Sequence, residues 1–172
     1  MHFDRQKFPS TTKHASLLRI LLTQDGSTTR LCQALINAPV SVHLHQQHRT
    51  VTVPEDVSKI LGGTTWLQRI TSLHSERGEV LMDNLSFTRL DILPEWFTAG
   101  LDQGHAPIGH LLDKLFIKRE HVTVNDEVKK ILWETVGAPD SNASRSYQIS
   151  TQNNTFMLIF EVFRGAMTHQ TT

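Results

Sequence analysis

Two charged residues interrupt apolar extended runs, and they are the first positions where this chain could do chemistry. Residues 156–163, Phe-Met-Leu-Ile-Phe-Glu-Val-Phe, are apolar on both faces, as in a strand covered on both sides. Glu161 breaks that run on the side shared with Met157, Ile159 and Phe163. An unpaired buried carboxylate is too costly to persist, so Glu161 must pair, protonate or border a cavity. Burial favours the protonated form of a carboxyl, and a group tuned in that way suits a general acid or base. The alternative is a strand-end Glu that reaches solvent or a structural Arg. Arg69, within Trp66-Leu67-Gln68-Arg69-Ile70-Thr71, is the second interruption. Guanidinium is permanently charged and grips carboxylates as a bidentate fork, so an inward Arg69 suits a dicarboxylate ligand. Otherwise it is a surface residue, or the partner of Glu161 in a structural ion pair.

Two predicted helix starts add backbone N–H groups. In Ala106-Pro107-Ile108-Gly109-His110 the start of a helix attracts an anion, and Gly109 lets a ligand approach closely. Asp25-Gly26-Ser27-Thr28-Thr29-Arg30 is a similar start with Arg30 in its first turn, although Ser27 there also reads as a plain N-cap. Among the 10 histidines, His43 and His45 share one strand face with His48 nearby, but no acidic or cysteine partner stands at ligand spacing. They read as solvated strand residues, and no metal site is expected. Cys32 has no His and Asn/Asp arrangement around it and reads as a small buried residue. There is no glycine-rich phosphate loop and no aromatic-basic nucleic-acid surface.

The elements that must position these groups follow from periodicity. Lys13 to Gln24 forms a helix with Leu17, Leu18, Ile20, Leu21 and Leu22 on a broad apolar face, and Ser27 opens a second helix to about Asn37. Val40 to Leu44 and Arg49 to Val53 alternate and read as two paired strands. Pro54-Glu55-Asp56 opens a short helical turn that closes at Gly62-Gly63. Thr64 to Leu73 and Glu79 to Leu90 are long extended runs joined by a hairpin loop over His74 to Gly78. Pro94 and Pro107 start two short helices, and strand returns at Ile117 to Val124. Asp126 to Val136 fits either a helix or more sheet. Arg145 to Ser150 and Thr155 to Phe163 form a last hairpin around Gln152-Asn153-Asn154. With hairpins and no regular strand-helix-strand alternation, the expected fold is α+β: one antiparallel sheet with flanking helices.

A chain of 172 residues, 38% hydrophobic and 20% charged, suits one domain, here expected over 13–165 between an arm at 1–12 and a tail at 166–172. Lys plus Arg and Asp plus Glu both total 17, so no overall field draws nucleic acid or an anionic membrane, and any anion site must be local. No apolar run approaches the roughly 20 residues of a membrane span. The polar Met1 to Lys13 carries no secretory signal, and the single Cys32 excludes an internal disulfide; a cytoplasmic location is expected.

Taken in order, these segments resemble the chorismate lyases. Leu18 to Leu31 is similar to that family's N-terminal signature, a leucine-rich helix followed by an acidic-small-x-Thr-x-Arg type turn. Trp66-Leu67-Gln68-Arg69 resembles the strand with the substrate-binding arginine, Ala106 to Leu112 the Pro-hydrophobic-Gly-x-x-Leu segment, and Ile159 to Phe163 the last strand with the active-site glutamate. The resemblance covers about residues 15 to 163. It implies the family's antiparallel sheet, no cofactor, and release of pyruvate from chorismate to leave a hydroxybenzoate, 4-hydroxybenzoate first among the isomers. It assigns Arg69 to a substrate carboxylate, the Ile108 and Gly109 backbone to ligand oxygens, and Glu161 to proton transfer or the ring hydroxyl. Thr28 and Arg30 join the substrate-binding set. One position departs from the family: its second arginine aligns with Ser86, while Arg89, three residues on, faces the other way. The alternative function is a non-catalytic small-carboxylate-binding domain, related to the effector-binding domains of bacterial regulators; their DNA-binding winged helix has no counterpart in residues 1–12.

Activity is expected to survive exhaustive dialysis against a chelator, assayed as release of the aromatic product. Loss of activity that zinc restores would revive His43 and His45 as ligands.

Overall fold

The computed structural model of the chain describes residues 10–104, 108–152 and 154–165. They form α1 (Ser10–Thr23), α2 (Thr28–Ile36), β1 (Val40–Thr50), α3 (Glu55–Leu61), β2 (Trp66–Ser75), β3 (Val80–Arg89), α4 (Glu95–Asp102), α5 (Ile108–Leu112), β4 (Lys118–His121), α6 (Asp126–Val136), β5 (Ser144–Thr151) and β6 (Asn154–Phe163). All strand pairs are antiparallel, in the order β1-β2-β3-β6-β5-β4. The α+β antiparallel architecture is therefore the expected one. The last strand of the chain lies inside the sheet between β3 and β5, which is why 156–163 is apolar on both sides.

Three expectations change and one open reading is resolved. Val40 to Leu44 and Arg49 to Val53 are not partners of each other: 40–50 is one strand, and both halves pair with β2. The interrupted alternation that suggested a turn is a register shift between Leu44 and Gln46, which an edge strand absorbs as a bulge. Asp126 to Val136 is helical, because Asn125 caps it by accepting from the Val128 N–H and Gly137 ends it in the left-handed region at φ 69°. The strand expected over Ile117 to Val124 contracts to Lys118–His121. The first helix begins at Ser10 rather than Lys13. Pro107, Asn153, most of the 1–12 arm and the 166–172 tail lie outside the described residues.

The pleat divides the sheet into two unlike faces. On one, Ile70, Leu85, Phe87, Leu158, Phe160 and Val162 form a single core with Val57 and Leu61 of α3 and Val128 and Leu132 of α6. Trp133 meets Phe160 edge to face at 5.4 Å. On the other face the apolar packing splits. One cluster gathers Leu67, Tyr147, Ile149, Met157 and Ile159 under α4 and α5. A separate one gathers Leu73, Met82 and Phe163 under Leu21 and Cys32 of α1 and α2.

The register explains the gap between them. The row Leu73, Met82, Phe163 is apolar, and the next row in is Thr71, Asn84, Glu161, Arg145. The row after that runs Arg69, Ser86, Ile159, Tyr147. The helices therefore pack on apolar rows to either side and leave a buried polar band between them, part of it bordering a cavity.

Leu85 is fully buried on the unbroken face. Leu85→Ala should cost about 2–5 kcal/mol in a urea titration, with affinity for a carboxylate ligand in the cleft of the other face unchanged within error.

Candidate active site

The polar band opens as a cleft of about 470 Å³, solvent at its mouth included. Its floor is the sheet, with Arg69 and Thr71 from β2, Asn84 from β3, Ile159 and Glu161 from β6 and Tyr147 from β5. Its walls are Thr28 and Thr29 at the start of α2, Ile108, Gly109 and Leu112 of α5, and Arg119 of β4.

Glu161 is the hub of this floor. Its side chain is 2% exposed and pairs with Arg145, itself 4% exposed, at 2.9 Å. The Thr28 hydroxyl lies 3.0 and 3.1 Å from its two oxygens, and the Tyr147 hydroxyl donates to Oε1 at 2.8 Å. Arg145 also donates to Thr28 Oγ1 at 2.8 Å and to the carbonyl oxygen of Gln24 at 2.5 Å. With three donor groups converging on it, Glu161 is held as an acceptor in a fixed orientation. Tyr147 is pushed well above the ordinary phenol range by burial, then by the neighbouring Glu161 charge, so it stays a donor.

Local sequence sets the α2 wall. Ser27 caps the helix by accepting from the Arg30 N–H, and Asn37 ends it in the left-handed region. A Cβ on Gly109 would stand 2.9 Å from Ser27 Oγ and 3.2 Å from Thr29 Oγ1, so only glycine lets α5 come this close to α2. Arg69 is 2% exposed and donates through Nη2 to the Gly104 carbonyl oxygen at 2.8 Å. Burial pulls its pKa down to about 10, which leaves it charged at neutral pH. The buried Oδ1 of Asn84 meets no hydrogen-bond partner among the described residues, although Asn84 pairs in register with Glu161.

A family model described as chorismate pyruvate-lyase Rv2949c-like matches residues 22–170. The chain belongs to that family. No curated protein matches it in sequence. Among solved structures it is similar to PhnF from Mycobacterium smegmatis, at 14% identity and a TM-score of 0.50, covering 87% of this chain and 68% of that one. The effector domain of the same protein matches at 14% identity and 0.49, covering 84% and 92%. A GntR-family transcriptional regulator from Bacillus cereus matches at 12% and 0.44, covering 77% and 96%. Identities this low speak to the fold alone.

Of the residues that the chorismate lyase resemblance brought forward, Arg69, Thr28, Ile108, Gly109 and Glu161 share the one cleft. Arg30 and Ser86 do not line it. Arg30 is 69% exposed on its side chain and pairs with Asp113 at 2.9 Å, because the first turn of α2 turns that position outward. Ser86 stands on the cleft face in the row between Arg69 and Ile159, but it is fully buried there and does not line the cavity. The partner of Glu161 is Arg145, not Arg69. Arg145, Tyr147, Asn84 and Arg119 went unmarked in the sequence. Arg145 and Tyr147 stand two apart and so share a face, but which face depends on a hairpin whose register shifts between Ile149 and Ser150.

Cys32 is buried, and burial followed by the Glu161 charge pushes its thiol up to about 12, so it is not a nucleophile at neutral pH. His43 and His45 have ring centroids 4.6 Å apart. His45 Nε2 lies 2.7 Å from Ser72 Oγ, and Ser72 alternates with Thr71 to the face away from the cleft. Among the described residues no group of three or more His, Cys, Asp or Glu is placed to hold a metal ion, and no helix is long and apolar enough to cross a membrane.

Glu161→Gln keeps the shape of the side chain but leaves the Arg145 charge buried without a counter-charge. Thermal and urea unfolding should report a loss of about 3–5 kcal/mol. A loss below about 1 kcal/mol would mean that the pair contributes little to folding.

Proposed function

We propose that this chain is a chorismate pyruvate-lyase, working without a cofactor in the cytoplasm and releasing pyruvate from chorismate to leave 4-hydroxybenzoate. The observation that carries this reading is the polar band itself: a deeply buried arginine and a fixed carboxylate in one cleft, flanked by two apolar clusters. The cleft wall holds Arg69 and Arg119 against Glu161 alone, and Glu161 is already engaged by Arg145, so positive charge is in excess. That balance suits a dianion.

Little covalent chemistry falls to the protein. The ring carbon bearing the hydroxyl loses its hydrogen, and the adjacent carbon loses the ether oxygen. The electron pair left between them completes the aromatic ring. The freed enol oxygen becomes the ketone of pyruvate, and a proton arrives on its methylene carbon. Holding the dianion in one reactive conformation and excluding water are the main requirements. Arg69 grips a carboxylate. The Ile108 and Gly109 backbone at the start of α5 faces ligand oxygens, and Thr28 fixes the carboxylate that receives the ring hydroxyl or its proton. Glu161, with Tyr147 and Arg145 holding its orientation, serves as the acceptor for that ring position.

A second reading is a carboxylate-binding domain without turnover. The same Glu161 geometry favours it, since a carboxylate saturated by three donors has least capacity left to move a proton.

Incubation of the purified protein with chorismate separates the two. The lyase releases equal amounts of pyruvate and 4-hydroxybenzoate above the uncatalysed rate, whereas saturable binding with no product identifies the carrier. Arg69→Ala should weaken 4-hydroxybenzoate binding at least tenfold, because a charged hydrogen bond contributes about 1.5–3 kcal/mol. An unchanged Kd with a large fall in Tm would make Arg69 structural.

A further inference from the structure

The position where the chorismate lyase resemblance calls for a second arginine is Ser86, which carries no charge and lies outside the cleft wall. A dicarboxylate ligand then has one obvious anchor, Arg69, and its other end lacks one. We infer that Arg119 is that second anchor, taking the carboxylate of the enolpyruvyl side chain, the part of the substrate that leaves as pyruvate. The inference rests on the lyase reading for the identity of the ligand.

Arg119 lies on the edge strand β4 opposite Ile149, and Ile149 alternates with Tyr147 to the cleft face of the sheet. Three strands, β3, β6 and β5, separate it from Arg69 on β2. At about 4.8 Å per strand, the two backbones stand roughly 19 Å apart on opposite sides of one cavity. Both side chains nevertheless line that cavity, so two cations reach inward from its ends. An elongated ligand with an acid at each end fits this arrangement better than a single carboxylate does.

The contacts of Arg119 leave room for such a ligand. Its Nη1 donates to the Asp25 carbonyl oxygen at 3.1 Å, which steadies the guanidinium beside the start of α2. Its Nε is buried and meets no acceptor among the described residues. A buried guanidinium N–H left unmade is costly, and a carboxylate oxygen would satisfy it with a charge-assisted bond. Arg119 and Tyr147 also border a shallow adjoining recess with Asp25 and Arg145. Arg69 is 2% exposed, whereas Arg119 is only half-buried at the rim. The deep arginine therefore suits the ring carboxylate that stays with the aromatic product, and the rim arginine suits the fragment that departs.

Arg119→Met, compared with the unaltered protein and with Arg69→Met, tests this by calorimetric titration of chorismate and of 4-hydroxybenzoate, with chorismate turnover measured on the same preparations. Expected is a loss of about tenfold or more in chorismate affinity with 4-hydroxybenzoate binding within twofold, while Arg69→Met weakens both ligands. Equal weakening of both ligands by Arg119→Met would make Arg119 a clamp on the Asp25 loop, and no change in either would remove it from the site; each overturns the inference. If Arg119→Met does not fold, Arg119→Lys keeps the charge and loses the fork, and must still weaken chorismate selectively. The two readings separate cleanly. Selective loss of chorismate binding in a protein that never turns chorismate over supports the anchor and sinks the lyase. Normal turnover indifferent to Arg119→Met sinks the anchor and keeps the lyase. A protein that binds no chorismate at all overturns both.

Discussion

The buried pair of Glu161 and Arg145 is the constraint around which the cleft is organised. The two residues face each other across β6 and β5, and neither reaches bulk solvent to recover its hydration. A pair of this kind must be surrounded by further hydrogen bonds or it destabilises the fold. Those bonds come from Thr28 at the first turn of α2, from the Gln24 carbonyl oxygen that ends the α1 side of the loop, and from Tyr147. Meeting the requirement fixes α2 against the sheet. The ring faces of Tyr147 and Phe163 flank the guanidinium at 5.0 and 5.6 Å, so the ion pair is also walled by π surface.

From that anchor the shape of the cleft follows. Helix α2 is held at one side by its first turn, and α5 is held close to it because position 109 carries no Cβ. The connection between α4 and α5 is fastened to the sheet by Arg69 through the Gly104 carbonyl oxygen. Arg69 thus both supports the wall and faces the cavity. Polar rows would be a defect in a sheet fully covered by helices. Here they are tolerated because the apolar clusters on this face stop short of each other, while the opposite face carries the continuous core under α3 and α6.

Fold and function stand in an ordinary relation here. The sheet and its helices supply a cleft, and an architecture by itself assigns no activity, because one fold hosts many functions. The charged lining of that cleft is Arg69, Arg119 and Glu161. Glu161 is fixed by three donors, and the positive side chains of Arg69 and Arg119 come from β2 and β4.

The antiparallel α+β fold was legible in the order of elements, and Arg69 and Glu161 stood out because a charge in an apolar strand needs an explanation wherever it occurs. Glycine at 109 and Ser27 at a helix start were likewise readable, since backbone geometry and capping are local. Arg30 and Ser86 do not line the cleft for reasons no local pattern shows: the outward turn of α2 and the burial of the Arg69 to Ile159 row are set by packing against distant segments. Whether 126–136 was helix or strand was settled by a cap and by α6 docking on Phe160 rather than by its own periodicity. By itself the sequence determined the alternation of apolar and polar residues, the turn and cap chemistry, and the presence of two buried charges. Only the tertiary structure decided that Glu161 pairs with Arg145, that Tyr147 donates to it with Asn84 beside it in register, and that Arg119 lines the same cleft from the edge strand β4. Strand order and register are properties of pairings between residues far apart in the chain, and no local pattern encodes which rows will stand side by side.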